Sequence, residues 1–132
     1  MSRKKRHSKL NFPFTAMPKH ITRSDAWFSC RPAARLIWFA VLERFDGANN
    51  GAISLSVREA AKYAGCSPNT AGRMFNELID AGLLICSQTS SFNSGKRLAR
   101  LWELTHLPKE GKVATNLWKS VSAKASSKRD TI

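Results

Sequence analysis

Two capping signals in the middle of the chain fix where two helices meet. Ser56 is followed three residues later by Glu59, the spacing of a capping box, and Gly65 is the residue type that most readily ends a helix. Ser67 is a typical N-cap for the helix that follows. Because only Gly65 and Cys66 separate the first helix from Ser67, the sequence predicts two helices joined by a tight turn.

The second of these helices has two chemically different faces. Pro68 occupies its first position and Gly82 ends it. One face is predicted to be buried and carries Ala71, Met74 or Phe75, Leu78 and Ile79. The opposite face carries Asn69, Thr70, Arg73, Asn76 and Glu77, with Glu77 expected to serve solubility or a local ion pair. The helix should therefore pack on a core and present hydrogen-bonding groups outward.

An earlier helix is predicted to begin at Arg31 and Pro32, after a short helix that Ser24 and Asp25 could cap. Its apolar residues recur at helical spacing: Ala33, Leu36, Ile37, Ala40, Val41 and Phe45. Trp38 and Phe39 widen this stripe, so part of the helix could pack on the preceding segment or on a second subunit. The turn-forming run DGANNG, residues 46–51, ends it. We assign Leu36, Ile37, Phe75, Leu78 and Trp102 to the core.

Strand patterns lie on either side of the helix pair. Residues 53–55 form a short strand candidate, and LLICSQ, SSFNSG and KRLARLWEL after Gly82 indicate a strand, a polar loop and a second strand, which together predict a β-hairpin. Alternation in the last strand does not decide which of its two sides is buried. The two choices are Leu98, Arg100, Trp102 and Leu104, or Arg97, Ala99, Leu101 and Glu103.

The length and charge of the chain limit what it can do. A chain of 132 residues typically forms one domain, and a formal net charge of +13 attracts polyanions such as nucleic acid. The first nine and last nine residues hold eight of the 22 basic residues and one of the nine acidic residues, so residues 10–123 still carry +6. We predict a basic, flexible arm over residues 1–22, one domain over 23–107 and a partly disordered extension over 108–132, in which Leu117, Trp118 and Val121 could form a short docking helix.

Several classes of protein are disfavoured. The chain has no apolar run long enough for a membrane helix, so we expect a cytoplasmic protein. Cys30, Cys66 and Cys86 lack metal-site or disulfide spacing and should be reduced, mostly buried thiols. The three histidines are scattered, and no nucleophile with a base, carboxylate pair or phosphate-binding glycine loop is visible. We expect neither enzymatic activity nor a metal or cofactor.

The order of elements resembles the winged helix-turn-helix family over residues 32–105. The most specific stretch is SLSVREAAKYAGCSPNTAGRMFNELIDAGLL, which is similar to the strand, first helix, Ser-capped recognition helix and entry into the wing of bacterial members. DGANNGAISLS and ARLWELTHLP further resemble small winged-helix proteins of alphaproteobacteria and their mobile elements, a similarity that implies no particular activity. The expected fold is mainly α with a small β-hairpin.

The resemblance implies that the helix starting at Ser67 enters the major groove of double-stranded DNA. Its expected base contacts are Asn69, Thr70, Arg73 and Asn76, and the expected backbone contacts are Arg58, Lys62, Ser67, and Lys96 and Arg97 of the wing. Each of these side chains could instead belong to a solvated helix face. The arm residues Arg3, Lys4, Lys5 and Arg6 fit either a minor-groove contact or a solubilising tail.

The resulting expectation is a DNA-binding transcriptional regulator, with a homodimer reading a two-fold site. A replication or partition factor of a mobile element is the alternative among DNA-binding roles. A protein-interaction module for the transcription or replication machinery would be favoured by exposure of Trp27, Phe28, Trp38 or Trp118. RNA binding ranks third, because the chain lacks an aromatic stacking motif on a sheet.

Overall fold

The computed structural model describes residues 11–89, 91–93 and 96–121, with side chains described outside residues 91–98. Five α-helices occur in these ranges: α1 (Lys19–Thr22), α2 (Asp25–Ser29), α3 (Pro32–Glu43), α4 (Val57–Ala64) and α5 (Pro68–Asp80). The strands are β1 (Ile53–Ser54), β2 (Leu84–Gln88), β3 (Ser91–Asn93), β4 (Lys96–Leu98) and β5 (Leu101–Leu104), and a 3₁₀ helix spans Leu117–Ser120. The fold is thus mixed α+β with helices dominant.

The predicted helix starts are confirmed at α2 and α3. The Trp27 N–H donates to the Ser24 hydroxyl at 3.1 Å, which caps α2, and Pro32 is the first residue of α3 after Arg31. After α3 the chain turns where DGANNG predicts it, because the Asp46 carboxylate accepts hydrogen bonds from the N–H groups of Ala48 and Asn49.

A small antiparallel sheet has the order β1-β5-β2, with Ile53 opposite Trp102 and Leu84 opposite Leu104. The hairpin is longer than the sequence predicts, since part of the expected loop is strand β3, which pairs with β4. An irregularity in the register between Cys86 and Gln88 separates this distal ladder from the sheet.

The core settles the orientation of β5, because Trp102 and Leu104 are fully buried. Two apolar assignments were wrong: Leu36 is 46% exposed and Ile79 is 38% exposed. The reason for Leu36 is geometric. The buried arc of α3 is centred on Ile37 and Val41, and Leu36 points away from it. Ile37, Phe75, Leu78 and Trp102 are core residues as predicted.

Both ends of the described chain reach the core, which therefore extends beyond residues 23–107. Ile21 of α1, within the predicted arm, is fully buried, and Trp118 of the predicted extension is 8% exposed. The His20 ring lies 5.5 Å from Trp118 and 6.2 Å from His106, centroid to centroid. Burial, and then the nearby His20, lower the pKa of His106 to about 4, so His106 is neutral at physiological pH.

Asn50 ties the turn after α3 to the end of β5. Its side-chain oxygen accepts the Leu104 N–H at 2.7 Å, and its amide group faces the carbonyls of Leu104, Leu107 and Pro108. Because Asn50 is only 8% exposed, these bonds supply the hydrogen-bond partners that its buried amide needs in place of water.

All three cysteines are free thiols, with Cys30 buried and Cys66 and Cys86 half-buried. None of the helices in the described ranges combines the length and apolar character needed to cross a bilayer.

The turn between α5 and β2 requires glycine. Gly82 has φ of +75°, and a Cβ added there would lie 2.6 Å from the Leu117 carbonyl carbon. Gly65 has a similar φ of +70°, but a Cβ added there would have no described atom within 4 Å.

We expect Gly82→Ala to lower the free energy of unfolding by about 2–4 kcal/mol, and the matched Gly65→Ala by only about 1 kcal/mol, because Gly82 combines backbone strain with a steric collision. Urea unfolding measures both variants, and equal losses would contradict the close contact.

Candidate nucleic-acid interface

The capping residues determine where α4 begins and ends and where α5 begins after the short turn. The Ser56 hydroxyl accepts the Glu59 N–H while the Glu59 carboxylate accepts the Ser56 N–H, both at 3.1 Å, as the capping box predicts. Gly65 ends α4 in the left-handed conformation, and the Cys66 N–H donates to the Ala61 carbonyl. The Ser67 hydroxyl then caps α5 by accepting the Thr70 N–H. Local chemistry therefore determines the turn.

Glu59 also connects α4 to the rest of the domain. Its carboxylate lies 3.0 Å from the guanidinium of Arg44, which in turn donates to the Ser54 carbonyl. The hydrogen bond from the Ser56 backbone and the neighbouring Arg44 lower the pKa of Glu59 below its ordinary value. The first helix of the pair is thus held at its N-terminus against α3 and β1.

The inner side of α5 fixes its position on the sheet. Phe75 stacks on Trp102 of β5, with centroids 4.2 Å apart and an angle of 7° between the rings. Ala71, Met74 and Leu78 are buried beside it. A helix anchored in this way cannot rotate about its axis without breaking a core contact, so its outer side has a fixed direction.

The outer side of α5 exposes three of the four predicted base-contacting residues. Asn69, Arg73 and Asn76 are exposed at intervals of four and three residues, which places them on one face, and Thr70 beside them is half-buried. The Thr70 hydroxyl oxygen accepts hydrogen bonds from the Ser67 hydroxyl at 3.0 Å and from Arg73 Nη2 at 3.4 Å. The guanidinium of Arg73 is therefore directed toward the N-terminal end of α5.

Glu77 does not belong to this exposed face. Its side chain is 6% exposed, and Oε1 accepts the backbone N–H of Arg31 at 2.6 Å while Oε2 lies 4.0 Å from Arg31 Nε. The prediction of a solvent-facing Glu77 was wrong because the junction between α2 and α3 packs over this edge of α5. The helical period places Glu77 at the border of the polar face, and only the packing covers it.

The predicted backbone contacts are distributed over two elements. Arg58 and Lys62 are exposed, one helical turn apart on α4, and Ser67 is exposed at the start of α5. Lys96 and Arg97 lie on β4 opposite Asn93 and Phe92, and their side chains fall outside the described ones. Arg3, Lys4, Lys5 and Arg6 of the arm also lie outside the described residues.

Sequence reasoning missed Arg100, which follows the distal ladder of the hairpin. Its guanidinium lies 5.8 Å from the Trp102 ring centroid, and its buried Nε has no hydrogen-bond partner among the described residues. The alternation along β5 places Arg100 on the same side as Trp102, and this pattern could have predicted the contact between the two side chains. Within the described ranges no three His, Cys, Asp or Glu side chains come together as a metal site.

The buried carboxylate of Glu77 gives a test of how α5 is positioned. Glu77→Ala leaves the Arg31 N–H without its acceptor, so we expect the free energy of unfolding to fall by about 1–3 kcal/mol. The adjacent and exposed Asn76→Ala is the control and should change it by less than about 0.5 kcal/mol. Chemical denaturation of both variants gives the comparison, and equal stability would mean that Glu77 is solvated.

Comparison with known proteins adds no relative from which a function could be transferred. No protein-family model, no curated protein and no solved structure matches the chain. Any functional conclusion therefore depends on the geometry of α4, α5 and the hairpin and on the charge of the chain.

Proposed function

We propose that the chain is a sequence-specific double-stranded DNA-binding protein of the winged helix-turn-helix type, acting as a transcriptional regulator and not as an enzyme. In this proposal α5 enters the major groove, and the hairpin formed by β2 to β5 is the wing. The observation that carries the proposal is the exposed row of Asn69, Arg73 and Asn76 on a helix whose opposite side is locked to the sheet by Phe75.

The side chains of this row have the chemistry that base edges require. An Arg guanidinium can donate two hydrogen bonds to O6 and N7 of guanine, and an Asn amide can pair with N6 and N7 of adenine. Thr70 supports Arg73 by accepting its hydrogen bond, which restricts the guanidinium before DNA arrives. Holding a long side chain in place lowers the conformational entropy lost on binding. Arg73 is therefore the proposed principal base-reading residue.

Charge supplies the part of binding that does not depend on sequence. Arg58 and Lys62 are exposed on α4, the helix that precedes α5, and Lys96 and Arg97 belong to the proposed wing. With a net charge of +13, the chain can neutralise phosphates and release their counterions. We place its action in the cytoplasm, on the nucleoid.

A replication or partition factor would use the same DNA-binding surface and differ only in the position of its sites. The protein-interaction alternative loses part of its basis, because Trp38 and Trp118 are buried and only Phe28 among the four named aromatic residues is exposed, at 53%.

Selection of binding sites tests the proposal directly. The purified protein is incubated with random and host duplex DNA near physiological salt, because at low salt the positive charge alone would retain any sequence. We expect enrichment of a short motif, and the genes beside its genomic copies separate regulation from replication or partition. Retention without any motif would reject sequence-specific binding.

Arg73 has a matched control in the same chain. Arg73→Ala should weaken binding to the selected site by about 1–3 kcal/mol and relax the preference at one base position. Arg23→Ala removes the same charge from the exposed residue that follows α1, and should change affinity without changing the sequence preference. Fluorescence anisotropy with a set of single-substitution duplexes measures both effects. An unchanged base preference in Arg73→Ala would refute the assignment of this residue.

A further inference from the structure

The outward side of α3 carries apolar side chains that the described part of the chain leaves uncovered. Leu36 is 46% exposed and Phe39 is half-buried, both on the side of the helix opposite Val41. Phe28 of α2 is 53% exposed, and its ring lies beside Arg35 of α3. Burying such side chains against a partner would be favourable, since apolar area removed from water contributes about 25 cal/mol per Å².

Opposite charges lie at equal distances on either side of Phe39. Arg35 precedes it by four residues and Glu43 follows it by four, about 6 Å in each direction along the helix axis. Arg35 is held in place, because its Nε donates to the Trp27 carbonyl at 3.1 Å and its guanidinium lies 5.9 Å from the Phe28 ring. The surface thus has a positive end at Arg35 and a negative end at Glu43.

An exposed aromatic ring accompanies the charge at each end. Phe28 lies beside Arg35. Tyr63 of α4 is 42% exposed. Burial and, after it, the nearby carboxylate of Glu43 raise the pKa of the Tyr63 hydroxyl. We define the α3 surface as Phe28, Arg35, Leu36, Phe39, Glu43 and Tyr63. Each half carries an aromatic ring, and the charges of the two halves are opposite.

We propose that the α3 surface is a two-fold interface with a second copy of this chain, in which antiparallel α3 helices cross at Phe39. A rotation of 180° through Phe39 brings Arg35 of each copy level with Glu43 of the other, and Leu36 and Phe39 pack across the axis. A second copy supplies this complementary charge order by symmetry alone. The interface is separate from the outer face of α5, so it does not depend on DNA binding.

The strength of this dimer is limited by two effects. The α3 surface consists of six residues, fewer than the roughly 20–30 per side of a stable interface. A net charge of +13 on each copy also produces long-range repulsion. We therefore expect weak association that strengthens when salt screens the repulsion.

Sedimentation velocity without DNA, over roughly 1–300 µM protein, measures this association. The wild-type chain is expected to shift from monomer to dimer, and Leu36→Glu should weaken the dimer at least about ten-fold, because it places two carboxylates near the axis. Leu117→Glu is the matched control, since Leu117 is also a leucine with 46% exposure and lies outside the α3 surface. A monomeric wild type, or equal effects of the two substitutions, would overturn the proposal. Since DNA is absent, this result is independent of the site selection above.

Charge exchange tests the antiparallel arrangement. Arg35→Glu and Glu43→Arg should each self-associate less than wild type, because like charges then face each other across the axis. An equimolar mixture of the two should recover dimers, because both charge pairs are then attractive. The carboxylate introduced by Arg35→Glu would face the guanidinium introduced by Glu43→Arg. The Glu43 that the first variant retains would face the Arg35 that the second retains. Circular dichroism checks that Arg35→Glu folds without its bonds to α2, and Leu36→Glu provides the decisive result if it does not. Folded variants that remain monomeric in the mixture would overturn this geometry.

Discussion

Phe75 lies flat against Trp102, and this contact joins α5 to β5, the central strand of the sheet. Trp102 is fixed in turn, since its indole N–H donates to the Leu55 carbonyl at 2.9 Å and its ring is fully buried. Because β5 pairs with both β1 and β2, the position of Trp102 determines the position of the whole small sheet. The outward direction of Asn69, Arg73 and Asn76 is thus a consequence of core packing on the other side of the same helix.

The terminal segments complete this core. Ile21 and Trp118 are buried, Asn50 bonds the turn after α3 to the end of β5, and Leu117 packs its backbone on Gly82. A domain of this size buries a modest fraction of its surface, so a few additional large side chains matter for its stability. Residues outside 23–107, Ile21 and Trp118, therefore contribute to the core.

Two outward surfaces of opposite character result from this arrangement. The outer side of α5 is polar and can donate and accept hydrogen bonds, which suits base edges and phosphates. The α3 surface is apolar with paired charges at its ends, which suits a protein. Because the two surfaces belong to different helices, dimer formation through α3 would leave α5 free, and a dimer would present two copies of α5 to a two-fold DNA site.

Sequence alone determined the features that depend on neighbouring residues: the caps at Ser56 and Ser67, the left-handed stop at Gly65 and the turn at residues 46–51. Each of these forms from hydrogen bonds within a few residues, so its chemistry can be read locally. The exposed positions of Asn69, Arg73 and Asn76 followed from helical period in the same way. The tertiary structure decided the burial of Glu77, the exposure of Leu36, the inward side of β5 and the contact between His20 and His106. These depend on which distant segment covers each position. Periodicity gives the face on which a residue lies, but residues at the border of a face are buried or exposed according to contacts made by parts of the chain far away in sequence.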